Sequence, residues 1–151
     1  ADFVIDISYL TTAGLRAQLM NLFCEASRRI TVTLCSFGFK YGLPRDSDMV
    51  FDVRFLRNPY YVSELREKTG QDEVVQYVMD SPAAQEFVDR LYSLLEFLLS
   101  RYIEEGRTSL VISVGCTGGR HRSVTIARLL AERLSQAGHA VSLRHRDIAK
   151  G

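Results

Sequence analysis

The run Leu110-Val111-Ile112-Ser113-Val114 passes directly into G-C-T-G-G-R-H-R-S, Gly115 to Ser123. Behind it Ile126, Leu129, Leu130, Ala131 and Leu134 recur at helical spacing. A β-branched apolar run predicts a buried strand, and the spacing behind it predicts a helix from about Arg122 to Ala137, stopped by Gly138. The glycines between them leave room only for a tight loop. A strand that feeds a helix through such a loop constrains a chain heavily. The helix has to lie back across the sheet, and the following strand then runs parallel to the first.

The rest of the chain repeats the alternation. Phe3 to Ser8 reads as a short buried strand, and Thr11 to Arg28 as a helix with Leu15, Leu19, Leu22, Phe23 and Ala26 on one face. Strands follow at Ile30 to Phe37 and Met49 to Phe55, separated by the loop Gly38 to Ser47. Asn58-Pro59-Tyr60-Tyr61 is a turn, where the two tyrosines read as packing residues before a stacking surface. Asp72 to Met79 is a short helix. Ser81 caps a long one through about Glu105, with Pro82 at its first position and Phe87, Leu91, Leu94, Leu95, Leu98 and Tyr102 as its buried stripe. Val141 to Arg146 closes the chain. The expectation is a single α/β layered domain over residues 1–151, with a mostly parallel sheet of about five strands flanked by helices.

Composition narrows the function classes. With 151 residues and 46% hydrophobic content the chain can bury one ordinary core. No apolar run has the length of a membrane span, and Ala1 to Asp6 lacks a signal peptide's charged and apolar regions. Cys24, Cys35 and Cys116 are odd in number and form no C-x-x-C pair. A reduced, cytoplasmic setting without disulfides, metal or cofactor is expected.

The loop itself carries the chemistry. A glycine-rich turn at a helix N-terminus presents backbone N–H groups and partial positive charge, which suits phosphate. Cys116, Thr117, Gly118, Gly119, Arg120, His121, Arg122 and Ser123 are the expected ligand-binding residues, with arginine able to grip phosphate bidentately. The plainer alternative makes Thr117 or Ser123 a helix cap and leaves the arginines solvated. Neither G-x-x-x-x-G-K-[ST] nor G-x-G-x-x-G occurs. Lys40 and Asp52 are further candidates for a pocket wall, drawn from a stretch where Asp46, Asp48, Arg45, Arg54 and Arg57 also crowd. A net charge of +1 hides an asymmetry: the chain after Gly106 carries eight Lys/Arg against two acids, which favours an anionic partner.

Several blocks together are distinctive: S-F-G-F-K-Y-G-L-P-R-D-S-D-M-V-F-D-V-R-F-L-R-N-P-Y-Y, then L-R-E-K-T-G-Q-D, then G-C-T-G-G-R-H-R-S and R-H-R-D. In that order they resemble the C-terminal domain of the RapZ/YvcJ family. The P-loop domain that members carry N-terminal to it has no counterpart in these residues. The resemblance implies a non-catalytic adapter that senses an amino-sugar phosphate such as glucosamine-6-phosphate. It also implies small regulatory RNA and an endoribonuclease as partners, self-association into a homo-oligomer, and no membrane. By the family pattern the sugar-phosphate pocket uses Thr117, Gly118, Gly119 and Arg122 with the F-K-Y-G loop, which adds Tyr41, where the family pattern has histidine. Arg144, His145, Arg146 and Lys150 are the expected RNA contacts, although the family's lysine-rich tail is replaced here by Ala149-Lys150-Gly151.

A rival of another class is a cysteine-dependent phosphatase. Cys116, five residues and then Arg122-Ser123 match the spacing in which a thiolate attacks phosphorus while arginine holds its oxygens. Asp46 or Asp48 would be the general acid. Such enzymes have histidine before the cysteine, where this chain has Gly115.

Overall fold

The computed structural model describes residues 29–150. The expected first strand and first helix, Phe3 to Ser8 and Thr11 to Arg28, lie outside the described residues. Within them the order is β1 (Thr31–Gly38), β2 (Met49–Asp52), α1 (Asp72–Met79), α2 (Pro82–Glu105), β3 (Ser109–Cys116), α3 (Arg122–Gln136) and β4 (Ala140–His145). Short 3-10 turns sit at Phe39–Tyr41 and Pro59–Tyr61.

The four strands form one parallel sheet in the order β2-β3-β1-β4. The two central strands are buried almost continuously, while β2 and β4 at the edges keep exposed positions. This is what a sheet covered on its faces requires of its middle. Val32 and Leu34 of β1 and Leu110, Ile112 and Val114 of β3 meet Ile126, Leu130 and Leu134 of α3 in the core. Helices α1 and α2 pack on α3 and on each other. At about 25 cal/mol per Å², each of these fully buried aliphatic side chains contributes roughly 1.5–3 kcal/mol.

One boundary, one buried face and one cap differ from the sequence reading. The strand expected through Phe55 stops at Asp52, because the Val53 amide donates to the Gly115 carbonyl and the chain then turns, with Leu56 N–H on the Val53 carbonyl. The buried stripe of α2 is Ala84, Val88, Leu91, Leu95 and Leu99. Leu94 is 46% exposed and Leu98 half-buried, since helical neighbours cover only a narrow band of α2. Ser81 starts α2 without a side-chain cap bond.

Register sets the position of the site. Asp52 and Phe37 both pair with Gly115, and Gly38 pairs with Cys116, so β1, β2 and β3 end together. The loops leaving a parallel sheet at its carboxyl edge are where ligands bind in such folds. No helix among the described residues is long and apolar enough to cross a membrane.

Candidate functional site

Beyond the ends of β1 and β3 lies a cavity of about 450 Å³ lined by Lys40, Asn58, Tyr60, Tyr61, Cys116, Thr117, Gly118, Arg120, His121 and Arg122. The loop that makes its floor is held by close backbone crossing. A Cβ on Gly38 would sit 2.5 Å from the Gly118 carbonyl carbon. Gly119 takes φ of 77° and any Cβ there would meet the Gly38 nitrogen at 2.6 Å. Only glycine satisfies both demands at Gly119.

Helix α3 begins at the loop with His121 as N-cap, no side-chain cap bond and no acid in its first turn. Neither Thr117 nor Ser123 therefore serves as the cap. Among the described residues no acceptor takes the amides of Gly118, Arg120 or His121, three consecutive or near-consecutive donors on the cavity-lining segment. Uncapped N-terminal amides of this kind are the donors that bind anions.

Arg122 is 6% exposed and fixed from behind. Its Nη1 donates to the carbonyls of Arg54 at 2.6 Å and Leu56 at 3.3 Å, and Nη2 to Thr117 Oγ1 at 3.4 Å. No carboxylate neutralises it among these contacts. Arg120 reaches the Glu67 carbonyl through Nη2, while its buried Nε has no acceptor among the described residues. His121 donates from Nε2 to the Arg66 carbonyl at 3.1 Å. Burial, aided by the charges of Arg120 and Arg122, holds its pKa below the ordinary histidine value. The ring is therefore neutral near pH 7, and the positive charge of the cavity comes from Lys40, Arg120 and Arg122.

Cys116 lies 2% exposed at the end of β3. Its Sγ accepts the Gly119 N–H at 3.3 Å and stands 3.1 Å from Ser123 Oγ. Burial is the largest single influence and favours the neutral thiol. The hydroxyl and amide of Ser123, the Gly119 amide and the charge of Arg122 together outweigh it, so the pKa falls below the usual thiol value.

The remaining expected residues stand around this centre. Tyr41 is outside the lining set, under the ammonium groups of Lys40 at 5.2 Å and Lys150 at 4.9 Å from its ring centroid. Asp52 is also outside it, paired with Arg54 at 2.6 Å, which holds its carboxyl below the usual range. Asp46 pairs with Arg144, and Asp48 joins β3 through the Val111 amide and Arg107. Neither reaches the cavity, which removes both as general acids. Of the expected RNA contacts, Arg144 faces Asp46, His145 Nδ1 is hydrogen-bonded to Ser36 Oγ at 2.6 Å, and Arg146 and Lys150 each lie 2.8 Å from Asp147.

Sequence reasoning undervalued two groups. Asn58, Tyr60 and Tyr61 reach the cavity, with the tyrosines 52% and 79% exposed at its rim and edge-to-face to each other. Asp147 is fully buried and binds the Gly38 amide at 2.8 Å. Burial would raise its pKa, but Arg146, the Gly38 amide and Lys150 prevail and bring it to about 2. An acid placed between Arg146 and Lys150 was the available signal.

The profile of the RapZ C-terminal domain family matches residues 30–149. The chain belongs to that family. It is 52% identical to a protein named nucleotide-binding protein from Agathobacter rectalis, over 99% of this chain and 53% of that protein. Proteins of the same name from Clostridium kluyveri and Caldicellulosiruptor saccharolyticus are 49% and 50% identical, each over 52% of its own length and 98% and 99% of this chain. The chain thus spans about half the length of the curated relatives it matches. Membership in the RapZ C-terminal domain family agrees with a regulatory, binding role.

Proposed function

We propose that this domain is a sugar-phosphate sensor and RNA-binding adapter module, and that the cavity at the end of β3 receives a phosphorylated amino sugar such as glucosamine-6-phosphate. The observation that carries the reading is the uncapped start of α3. Among the described residues, amides without an acceptor and the buried Arg122 guanidinium lie at one cavity whose lining holds no carboxylate, and the Nε of the lining residue Arg120 has no partner. The phosphate sits on the amides of the Gly118–His121 turn with Arg122 and Lys40 about its oxygens. The hexose lies toward Tyr60 and Tyr61, whose exposed faces suit a sugar ring.

RNA is the second ligand. Arg144, His145, Arg146 and Lys150 form its contact edge along β4, supported by family membership. Each cation there has a carboxylate partner, so phosphate backbone must compete with Asp46 and Asp147. Coupling between the ligands has a physical route, because Asp147 binds the Gly38 amide and Gly38 crosses the phosphate loop at Gly118 and Gly119. The domain acts in the cytoplasm as a homo-oligomer and passes bound small RNA to an endoribonuclease.

Calorimetric titration with a panel of phosphorylated amino sugars tests the reading. Glucosamine-6-phosphate is expected to bind and to raise the melting temperature. The same sugar without phosphate is expected to do neither. Equal binding of both would refute a phosphate seat.

A further inference from the structure

We propose that Cys116 is a phosphoryl-accepting nucleophile, so that the cavity hydrolyses phosphate esters whose leaving group departs without a proton and merely binds alkyl phosphates. The proposal rests on the phosphate-seat reading and adds chemistry at the floor of that seat.

Two buried cysteines in one sheet make the contrast. Cys35 donates its S–H to the carbonyl of the adjacent Ser36 at 3.6 Å and is absent from the cavity lining. Cys116 instead accepts: the Gly119 amide points at Sγ, and Ser123 Oγ is placed to donate its proton. A sulfur surrounded by donors is the environment of a thiolate, and the lowered pKa agrees with that geometry. Cys116 is also among the residues that line the cavity in which Arg122 is fixed by two carbonyls. A nucleophile and a pre-oriented guanidinium thus share the space assigned to one phosphate.

Gly115 explains the departure from the usual phosphatase pattern. A Cβ there would lie 2.5 Å from Phe37 Cζ and 2.6 Å from Phe39 Cε2, so rings occupy the place of a histidine side chain. Here Ser123 and the loop amides lower the thiol pKa instead.

Among the described residues the lining supplies no carboxylic acid to protonate the leaving group. None of the described lining residues is Asp or Glu, and the neutral His121 ring is committed to the Arg66 carbonyl. Asn58 stands in the lining with an amide, which cannot transfer a proton. General acid catalysis is worth about 10²–10⁴ in rate, and an alkoxide leaving group needs it. Aryl phosphates do not, because a phenolate carries its own charge. The exposed Tyr60 and Tyr61 also offer an aromatic wall for such a ring.

The steps balance. The thiolate lone pair forms the S–P bond as the P–O bond breaks, and the phenolate leaves with that electron pair. Water then attacks phosphorus, the S–P bond breaks with its pair returning to Sγ, and both water protons depart with the phosphate as dihydrogen phosphate.

The test uses the full chain with para-nitrophenyl phosphate. Wild type is expected to release many equivalents of phenolate and Cys116→Ser none above buffer. Arg122→Ala is expected to fall by about 10²–10³. Calorimetry with inorganic phosphate should show that Cys116→Ser still binds, which separates lost chemistry from lost folding. As a readout on wild type alone, iodoacetamide should alkylate Cys116 with a pH midpoint below that of an ordinary thiol, and inorganic phosphate should protect it. Three results each overturn the proposal: aryl ester turnover no faster than in Cys116→Ser, an alkylation midpoint at or above the ordinary value, or glucosamine-6-phosphate cleaved as fast as the aryl ester. If wild type binds glucosamine-6-phosphate but fails the first or second of these, the binding reading stands and this inference falls. If it binds neither sugar phosphate nor inorganic phosphate, both fall.

Discussion

Arg122 commits Nη1 to the carbonyls of Arg54 and Leu56, and that support is what makes its other nitrogens useful. A guanidinium already immobilised loses little conformational freedom when a ligand arrives. Hydrogen bonds to charged groups are worth about 1.5–3 kcal/mol. Arg122→Ala is therefore expected to weaken sugar-phosphate binding roughly 10- to 100-fold by calorimetry and to remove the ligand-induced rise in melting temperature. Gly119→Ala acts differently. With φ at 77° and backbone atoms within 3 Å of the new Cβ, it is expected to cost more than about 1 kcal/mol of stability in chemical denaturation, even without ligand. Asn58, Tyr60 and Tyr61 mark the limit of residue-level reading. A turn announces itself locally, but whether its exposed rings face solvent or a cavity depends on a loop some sixty residues away in sequence.

Among the elements, the link between β4 and β1 has a pH signature. Asp147 follows β4 and ties the end of β1 through the Gly38 amide. Its folded pKa of about 2 lies below its ordinary 3.8. The carboxylate thus contributes stability in full above about pH 4 and loses it as the pH falls toward 2, a total of about 2 kcal/mol. Denaturation of wild type and Asp147→Asn across that range checks this, with the acid-dependent loss expected to shrink in the variant. For α2, Leu95→Ala should cost about 2–5 kcal/mol, as for other large-to-small core changes. Phosphate affinity should stay unchanged, since Leu95 is absent from the cavity lining. Periodicity located α1, α2 and α3 within a residue or two because each has its own apolar band. It misassigned Leu94, because one helix alone does not state how wide a band its neighbours will cover.

For the whole molecule, charge decides how strongly RNA can be held. Arg144, Arg146 and Lys150 are three cations already facing Asp46 and Asp147. If RNA binds through this edge, the slope of log affinity against log salt should be no steeper than about −2 to −3, near −0.7 to −0.9 per phosphate. A much steeper slope in a filter-binding or fluorescence titration would place the contact elsewhere. The parallel α/β architecture and the strand-loop-helix turn were readable from the chain alone. Both follow from local rules: β-branched runs, helical spacing, and glycines where backbone must curl. The tertiary structure alone decided that Asp46 and Asp48 pair with arginines outside the cavity, that Gly38 must be bare to let the loop cross it, and that Cys116 rather than Cys35 stands in the cavity lining. The Asp46–Arg144, Asp48–Arg107 and Gly38–Gly118 contacts join residues far apart in the chain. The energy of such contacts depends on distance and burial, which a one-dimensional pattern does not carry.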